Sequence, residues 1–169
     1  LLLAGATQSD TTTSTLLLTS AMAQFQLGAE SARDIADQFA GAIASSPAQI
    51  GLLTDAFKYA GPAGAAFKMS LEAVNAEIAA FHVVGLRGQM AGTSFRMALI
   101  EAQSAAVSGS GKVGQALQGW SAEQEGLTGA IERFEKAGLD GMDLIDAFGK
   151  RAGPGMAALL SLGSDAMKT

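Results

Sequence analysis

Ser70-Leu71-Glu72-Ala73-Val74-Asn75-Ala76-Glu77-Ile78-Ala79-Ala80-Phe81-His82-Val83-Val84-Gly85-Leu86 decides the fold. Leu71, Val74, Ile78 and Phe81 recur at i, i+3, i+7 and i+10, which draws one narrow apolar stripe along a helix. Ser70 supplies a capping hydroxyl in front of it. Gly85 followed by Leu86 predicts a Schellman stop, with glycine in the left-handed region and an apolar residue behind it. A start, a stripe and a stop within one short run leave no room for a strand.

The same grammar repeats in both directions. Upstream, Asp10 or a following Thr or Ser caps a helix carrying Leu16, Leu17, Leu18, Met22 and Phe25, which Gly28 is expected to stop. A second helix, about 29–44, presents Ile35, Phe39 and Ile43. Ser46-Pro47 opens a third, with Ile50, Leu53 and Phe57, expected to end at Gly61-Pro62, and a short helical piece then runs from Pro62 to Met69. Downstream, a helix of about 92–106 shows Phe95, Leu99 and Ala102. Ser121 with Gln124 reads as a capping box before Leu127, Ile131 and Phe134, and Gly138-Leu139 repeats the stop of Gly85-Leu86. Asp140 caps a helix with Leu144, Ile145 and Phe148, and a last helix carries Met156, Leu159 and Leu160. The expected fold is all-α, a compact orthogonal bundle of about seven short helices with Gly- and Pro-punctuated turns.

Composition agrees. The chain has 169 residues, of which 34 are Ala, 21 Gly and 19 Leu, while Val and Ile together number 12. Good helix formers dominate and β-branched residues are scarce, which excludes an all-β fold. The length suits one domain of roughly 100–200 residues. Residues 1–169 are therefore expected to form one helical domain, a fragment of a longer chain, since it opens on Leu1. The Ser108-Gly109-Ser110-Gly111 stretch, within 107–114, is expected to be a flexible linker between a larger front part and a shorter back part. Ala56-Phe57-Lys58-Tyr59-Ala60-Gly61-Pro62 is echoed by Ala147-Phe148-Gly149-Lys150-Arg151-Ala152-Gly153-Pro154, with one inserted Gly. Each copy is expected to be a helix stop, and the pair hints at a repeated helical hairpin.

Several functions are excluded or disfavoured. A net charge of −5, with the basic residues scattered apart from Lys150-Arg151, makes no stripe for a nucleic-acid backbone, so no sequence-specific nucleic acid is expected. The absence of Cys removes disulfides and thiolate chemistry. The longest uncharged stretch, Thr11 to Ala29, holds too many Thr, Ser and Gln for a membrane span. Gly109-Ser110-Gly111-Lys112 lacks the earlier Gly and the following Ser or Thr of a phosphate loop, having Ala106 and Val113 there. His82 stands alone and is read as a partly buried structural residue rather than a ligand. Asp140 is read as a cap, with Asp143 and Asp146 on a solvated face, and Glu132, Arg133, Glu135 and Lys136 form another charged face. Glu30-Ser31 lacks the second carboxylate or sugar-stacking aromatics of a glycosidase. No enzyme, cofactor or metal is expected.

One stretch stands out as a candidate site. Gly85, Gly88 and Gly92 recur at three- and four-residue spacing around Arg87, with Thr93 and Arg96 next. Such a flat strip admits close approach of another helix. Two uses are open: a neighbouring helix of the same domain fills it, with Arg96 pairing a carboxylate such as Glu77, or a second copy or a separate partner protein docks there.

The motifs from Asp55 to Pro62, Met69-Ser70-Leu71-Glu72, Val84-Gly85-Leu86-Arg87-Gly88, Gln89-Met90 and Ala91-Gly92-Thr93-Ser94-Phe95-Arg96 follow one another in an order and spacing that resemble the core region of phage tail tape measure proteins. Phe148-Gly149-Lys150-Arg151-Ala152 is similar to an element near the end of the same region. The resemblance covers about residues 16–162. It departs between Ala106 and Gly138 and at Phe95, where the family more often has Leu. It implies a structural virion protein, mostly helical, present in several copies inside the tail tube, which sets tail length and leaves ahead of the DNA. Expected partners are other copies, tail tube, tail tip or assembly chaperone proteins, and the host membrane on ejection. Expected locations are the tube lumen and, during assembly, the host cytoplasm. The alternative from another class is a membrane-active helical module of a bacterial toxin or secretion system, since Ala- and Gly-rich helices with few charges can line a pore.

Overall fold

A computed structural model describes residues 11–44 and 49–168. Among these residues there are α-helices α1 (Thr11–Gln24), α2 (Ala32–Ala44), α3 (Ile50–Ala66), α4 (Leu71–Val83), α5 (Gln89–Ser108), α6 (Gly111–Ala116), α7 (Ala122–Lys136), α8 (Gly141–Leu162) and α9 (Ser164–Met167), with a 3₁₀ turn at Ala29–Ser31 and no strand. The all-α expectation holds, with nine helices described rather than seven, because α6 and α9 are too short to show a stripe. The expected caps at Asp10 and Ser46-Pro47 lie outside the described residues.

The architecture follows from α5. It packs along α3 on one side and α8 on the other, with α4, α6 and α7 closing around it. One contiguous apolar cluster runs from Leu17 to Met167 through Phe39, Phe57, Phe81, Phe95, Phe134 and Met156. Phe39 meets Phe57 edge to face at 5.4 Å, and Phe134 meets Phe148 at 6.0 Å, so each half has its own aromatic pair.

Local chemistry fixes the helix ends. The Ser70 hydroxyl accepts from the Ala73 N–H at 3.1 Å. At the other end of α4, Leu86 N–H donates to the Phe81 carbonyl and Gly85 N–H to that of His82, with Gly85 at φ 91°, which is the Schellman pattern. Leu139 and Gly138 repeat it on Phe134 and Glu135, with Gly138 at φ 66°. Asp140 and Asp143 cap α8 reciprocally, so Asp143 is a cap partner and not a free face residue; it also pairs with Lys112 at 2.9 Å.

Several boundaries differ from the sequence reading, each for a physical reason. Gly28 does not stop α1; Gln26 takes the left-handed position at φ 54° instead. Gly61-Pro62 does not stop α3; the break expected within 147–154 is present in α8, but at Gly149, φ 67° and ψ −173°, rather than at Gly153-Pro154, so both prolines lie inside helical turns. Each proline leaves the carbonyl four residues earlier without its helical donor, and the residues that carry it, Lys58 and Lys150, are exposed. Within 107–114, the stretch expected to link the front and back parts, most residues are helical. Gly109 ends α5 at φ 62°, α6 begins at Gly111, and Gly114 sits so close to Gly109 that an added Cβ would lie 2.7 Å from its carbonyl carbon. Its glycines serve a tight turn and a close approach.

Ser121 precedes α7 but makes no side-chain cap bond, so the expected capping box is absent. The reason is a backbone break at Gly126, φ 59° and ψ −166°, which starts the helix anew. The charged face of α7 is also partly consumed: Arg133 is bidentate to Glu125 at 2.7 and 2.8 Å, and Glu135 accepts from the Ser164 N–H and hydroxyl.

Candidate functional site

The Gly85–Arg96 stretch is the hinge between α4 and α5. After the Schellman turn, exposed Arg87 leads into Gly88, whose φ 55° and ψ −132° suit only glycine, and whose backbone caps α5 without a side chain. Four residues on, Gly92 lies against α3, where an added Cβ would stand 2.1 Å from the Ala56 carbonyl oxygen. An added Cβ on Gly88 would stand 3.3 Å from Leu52 of the same helix. Around Gly85 there is open space within 4 Å, so its role is conformational alone. The structure therefore sets Gly88 and Gly92 into an internal seam with α3 and leaves Gly85 and Arg87 outside it.

The other side of α5 meets α8. The Ser94 hydroxyl donates to the Arg151 carbonyl at 3.5 Å, and Gly155 admits Phe81 and Leu86, from which an added Cβ would be 3.0 Å. The run from Gly92 to Arg96 is thus held between the two echoed motifs, Ala56 in the first and Arg151 in the second. Neither partner was visible as such in the sequence, because both contribute backbone rather than side chain.

Arg96 does not pair with Glu77. Its guanidinium lies over the Tyr59 ring, 5.9 Å from the centroid, and its Nε is buried without a partner. Glu77 is committed elsewhere: its Oε1 accepts from the Leu127 N–H at 2.5 Å and the Thr128 N–H at 3.2 Å, capping the helix that restarts after Gly126. Trp120 Nε1 donates to the Gly126 carbonyl at 2.8 Å and closes the same break. Burial pushes the Glu77 carboxyl up to about 8 against the pull of those two N–H bonds. Sequence reasoning missed this tertiary cap, since nothing in a local pattern links residues fifty apart.

His82 is fully buried, and both ring nitrogens lack partners. Burial, with the nearby Arg87 charge, holds its pKa below the usual imidazole value. Among the described residues no group of three or more His, Cys, Asp or Glu stands where it could hold a metal ion. No helix among them is long and apolar enough to cross a membrane. A cleft between α1 and α3, about 380 Å³ and lined by Leu16, Leu17, Gln24, Thr54, Asp55 and Lys58, brings no catalytic set together. What these features define is an all-α protein whose special residues serve helix breaks and close packing.

The comparisons give that class a family. The model of the phage-related minor tail protein family matches residues 1–153, and the chain belongs to that family. It is also similar to a tape measure protein of Pneumococcus phage Dp-1, 34% identical over 97 residues that cover 57% of this chain and 8% of that protein. The chain thus matches a small fraction of the relative's length. No solved structure matches it. A structural role in a phage tail follows, and with it a place in the virion tail.

Proposed function

We propose that this chain is a segment of a tail tape measure protein, lying in the tail tube lumen of the virion, setting tail length during assembly in the host cytoplasm and leaving ahead of the DNA. The observation that carries this reading is the 34% identity over 97 residues to a protein named for that role. The helical structure supports it, as does the net charge of −5, which limits adhesion to a genome that must follow through the same tube. The proposed partners are other copies of the chain, tail tube and tip proteins, an assembly chaperone, and the host membrane on ejection. The test is to shorten or lengthen the helical part of the full protein in frame and measure tails by electron microscopy. Tail length that follows the edit supports the reading. Tails of unaltered length, built with the edited protein inside, would overturn it.

A further inference from the structure

The α5 helix carries two seams. Its inward seam is Ala91, Gly92, Phe95, Ala98, Leu99 and Ala102, all buried against neighbouring helices. Its outer positions are Met90, Thr93, Met97, Ile100, Ser104 and Val107, spaced 3-4-3-4-3 along the full 20 residues, roughly 30 Å; Met90, Ile100, Ser104 and Val107 are exposed, while Thr93 and Met97 are half-buried and Met97 packs partly on the core. That is the spacing of alternating a and d positions in a two-stranded coiled coil. Met90 is 63%, Ile100 45% and Val107 78% exposed, among the most exposed large apolar side chains of the described residues. No charged residue interrupts the face.

Two charges flank it, one on each side. With Met90 and Met97 at a, Arg96 falls at g and Glu101 at the following e. In a parallel pair the g residue of one helix faces the e residue five positions on in the other, so Arg96 of each copy meets Glu101 of the other, twice by symmetry. An antiparallel pair sets g against g and e against e, and the charges do not meet. Neither residue has an ion-pair partner among the described residues; Arg96 is held over Tyr59, beside the face rather than across it.

We propose that the outer face of α5 docks a second copy of this chain, parallel and in register, with exposed Ile100 at its centre, Met90 and Val107 towards its ends and the Arg96–Glu101 pairs at its flanks. This deepens the tail reading, and rests on it for copies that lie side by side in one direction. Ser104 and Thr93 within the seam, and a contact one helix wide, place the association at the weak end of specific interfaces.

The chain has no Cys, so engineered thiols are clean probes. Purified Ile100→Cys is expected to cross-link to itself on oxidation, because residue 100 faces residue 100 in the parallel register. Sedimentation equilibrium is expected to show a reversible dimer of the parent that Ile100→Glu abolishes with its helical spectrum intact. Glu101→Arg is expected to weaken the dimer about threefold to tenfold, and Arg96→Glu with Glu101→Arg together to restore it. A parent monomeric up to about 1 mM, a dimer indifferent to Ile100→Glu, or cross-linking only between Met97→Cys and Ile100→Cys chains would overturn the proposal. A monomer would assign the face to another tail component, while the tail-length experiment still decides the tail reading by itself.

Discussion

Residues 56–62 and 147–154 share most of their letters and take different backbones. In α3 the run Ala56 to Pro62 is continuous helix, carried through the proline to Ala66. In α8 the single extra Gly149 sits at φ 67° and ψ −173°, and the helix turns so sharply that an added Cβ on Gly153 would lie 2.7 Å from the Ile145 Cα. The glycine before each proline also differs in what it meets. Gly61 faces the Gln24 side-chain oxygen and the Phe57 ring, whereas Gly153 faces backbone. One inserted residue thus converts a straight rod into an elbow, and the two forms clasp α5 from opposite sides. A repeated motif in this chain is a repeated contact, not a repeated conformation.

The comparison can be broken most severely by erasing the insertion. Deleting Gly149 shifts every later residue of α8 by about 100° around the helix, so Ala152, Met156 and Leu159 leave the core. The cooperative thermal transition in the far-ultraviolet dichroism is expected to vanish. Retention of the parent melt would show that the elbow is dispensable.

A finer cut separates the two glycines. Gly153→Ala is expected to cost about 2–4 kcal/mol, because backbone at Ile145 cannot step aside, and Gly61→Ala less, about 1–2 kcal/mol, because Gln24 can move although the buried Phe57 ring must shift with it. Urea midpoints of the two variants give the order, and equal losses would remove the distinction drawn between the copies.

The third prediction compares the breaks themselves. The restart after Gly126 is capped by buried Glu77, while the restart after Gly149 has no side-chain cap among the hydrogen bonds described. With its folded pKa raised from 4.5 to about 8, Glu77 contributes proton-linked stability that is full below about pH 4.5 and is lost as pH rises through about 8. Unfolding free energy from urea titrations is expected to fall by roughly 1–3 kcal/mol across that window in the parent. Glu77→Gln, which keeps a carbonyl for Leu127, is expected to flatten the fall. A variant with the parent's pH profile would show that another group titrates.

The open turns belong at the small end of the scale. Gly85 and Gly138 have positive φ and nothing within 4 Å of an added Cβ, so only conformation resists replacement. Gly85→Val and Gly138→Val are each expected to cost about 1–2 kcal/mol, read as a lowered melting temperature. Parent-like melting of both would mean that these turns tolerate another geometry.

Much of this was legible locally. The stripe of α4, the Ser70 cap, both Schellman stops and the Asp140 cap depend on residues within one or two turns, where spacing carries the information. The misreadings share another origin. Gly61-Pro62 looks like a stop, but burial of Ala60, Ala63 and Gly64 against neighbouring helices holds α3 together past the proline. Ser121 looks like the decisive cap of α7, yet the restart belongs to a carboxylate from α4. The glycine run from Gly85 to Gly92 was recognisable as a place of close approach. That Ala56 fills it required the fold, since an alanine whose backbone is the contact leaves no mark in composition or period.

The central claim is that α5 binds the two echoed motifs into one cooperative unit, and Gly92→Ala tests it most directly. The substitution strikes the front seam, at the Ala56 carbonyl, while the single tryptophan, Trp120, is buried beyond the back end of α5 and reports there. Urea unfolding followed by tryptophan fluorescence and by far-ultraviolet dichroism is expected to show one coincident transition, displaced to lower urea by the same amount in both signals. A Trp120 transition left at the parent midpoint, while the dichroism loses its front-half amplitude early, would contradict the account.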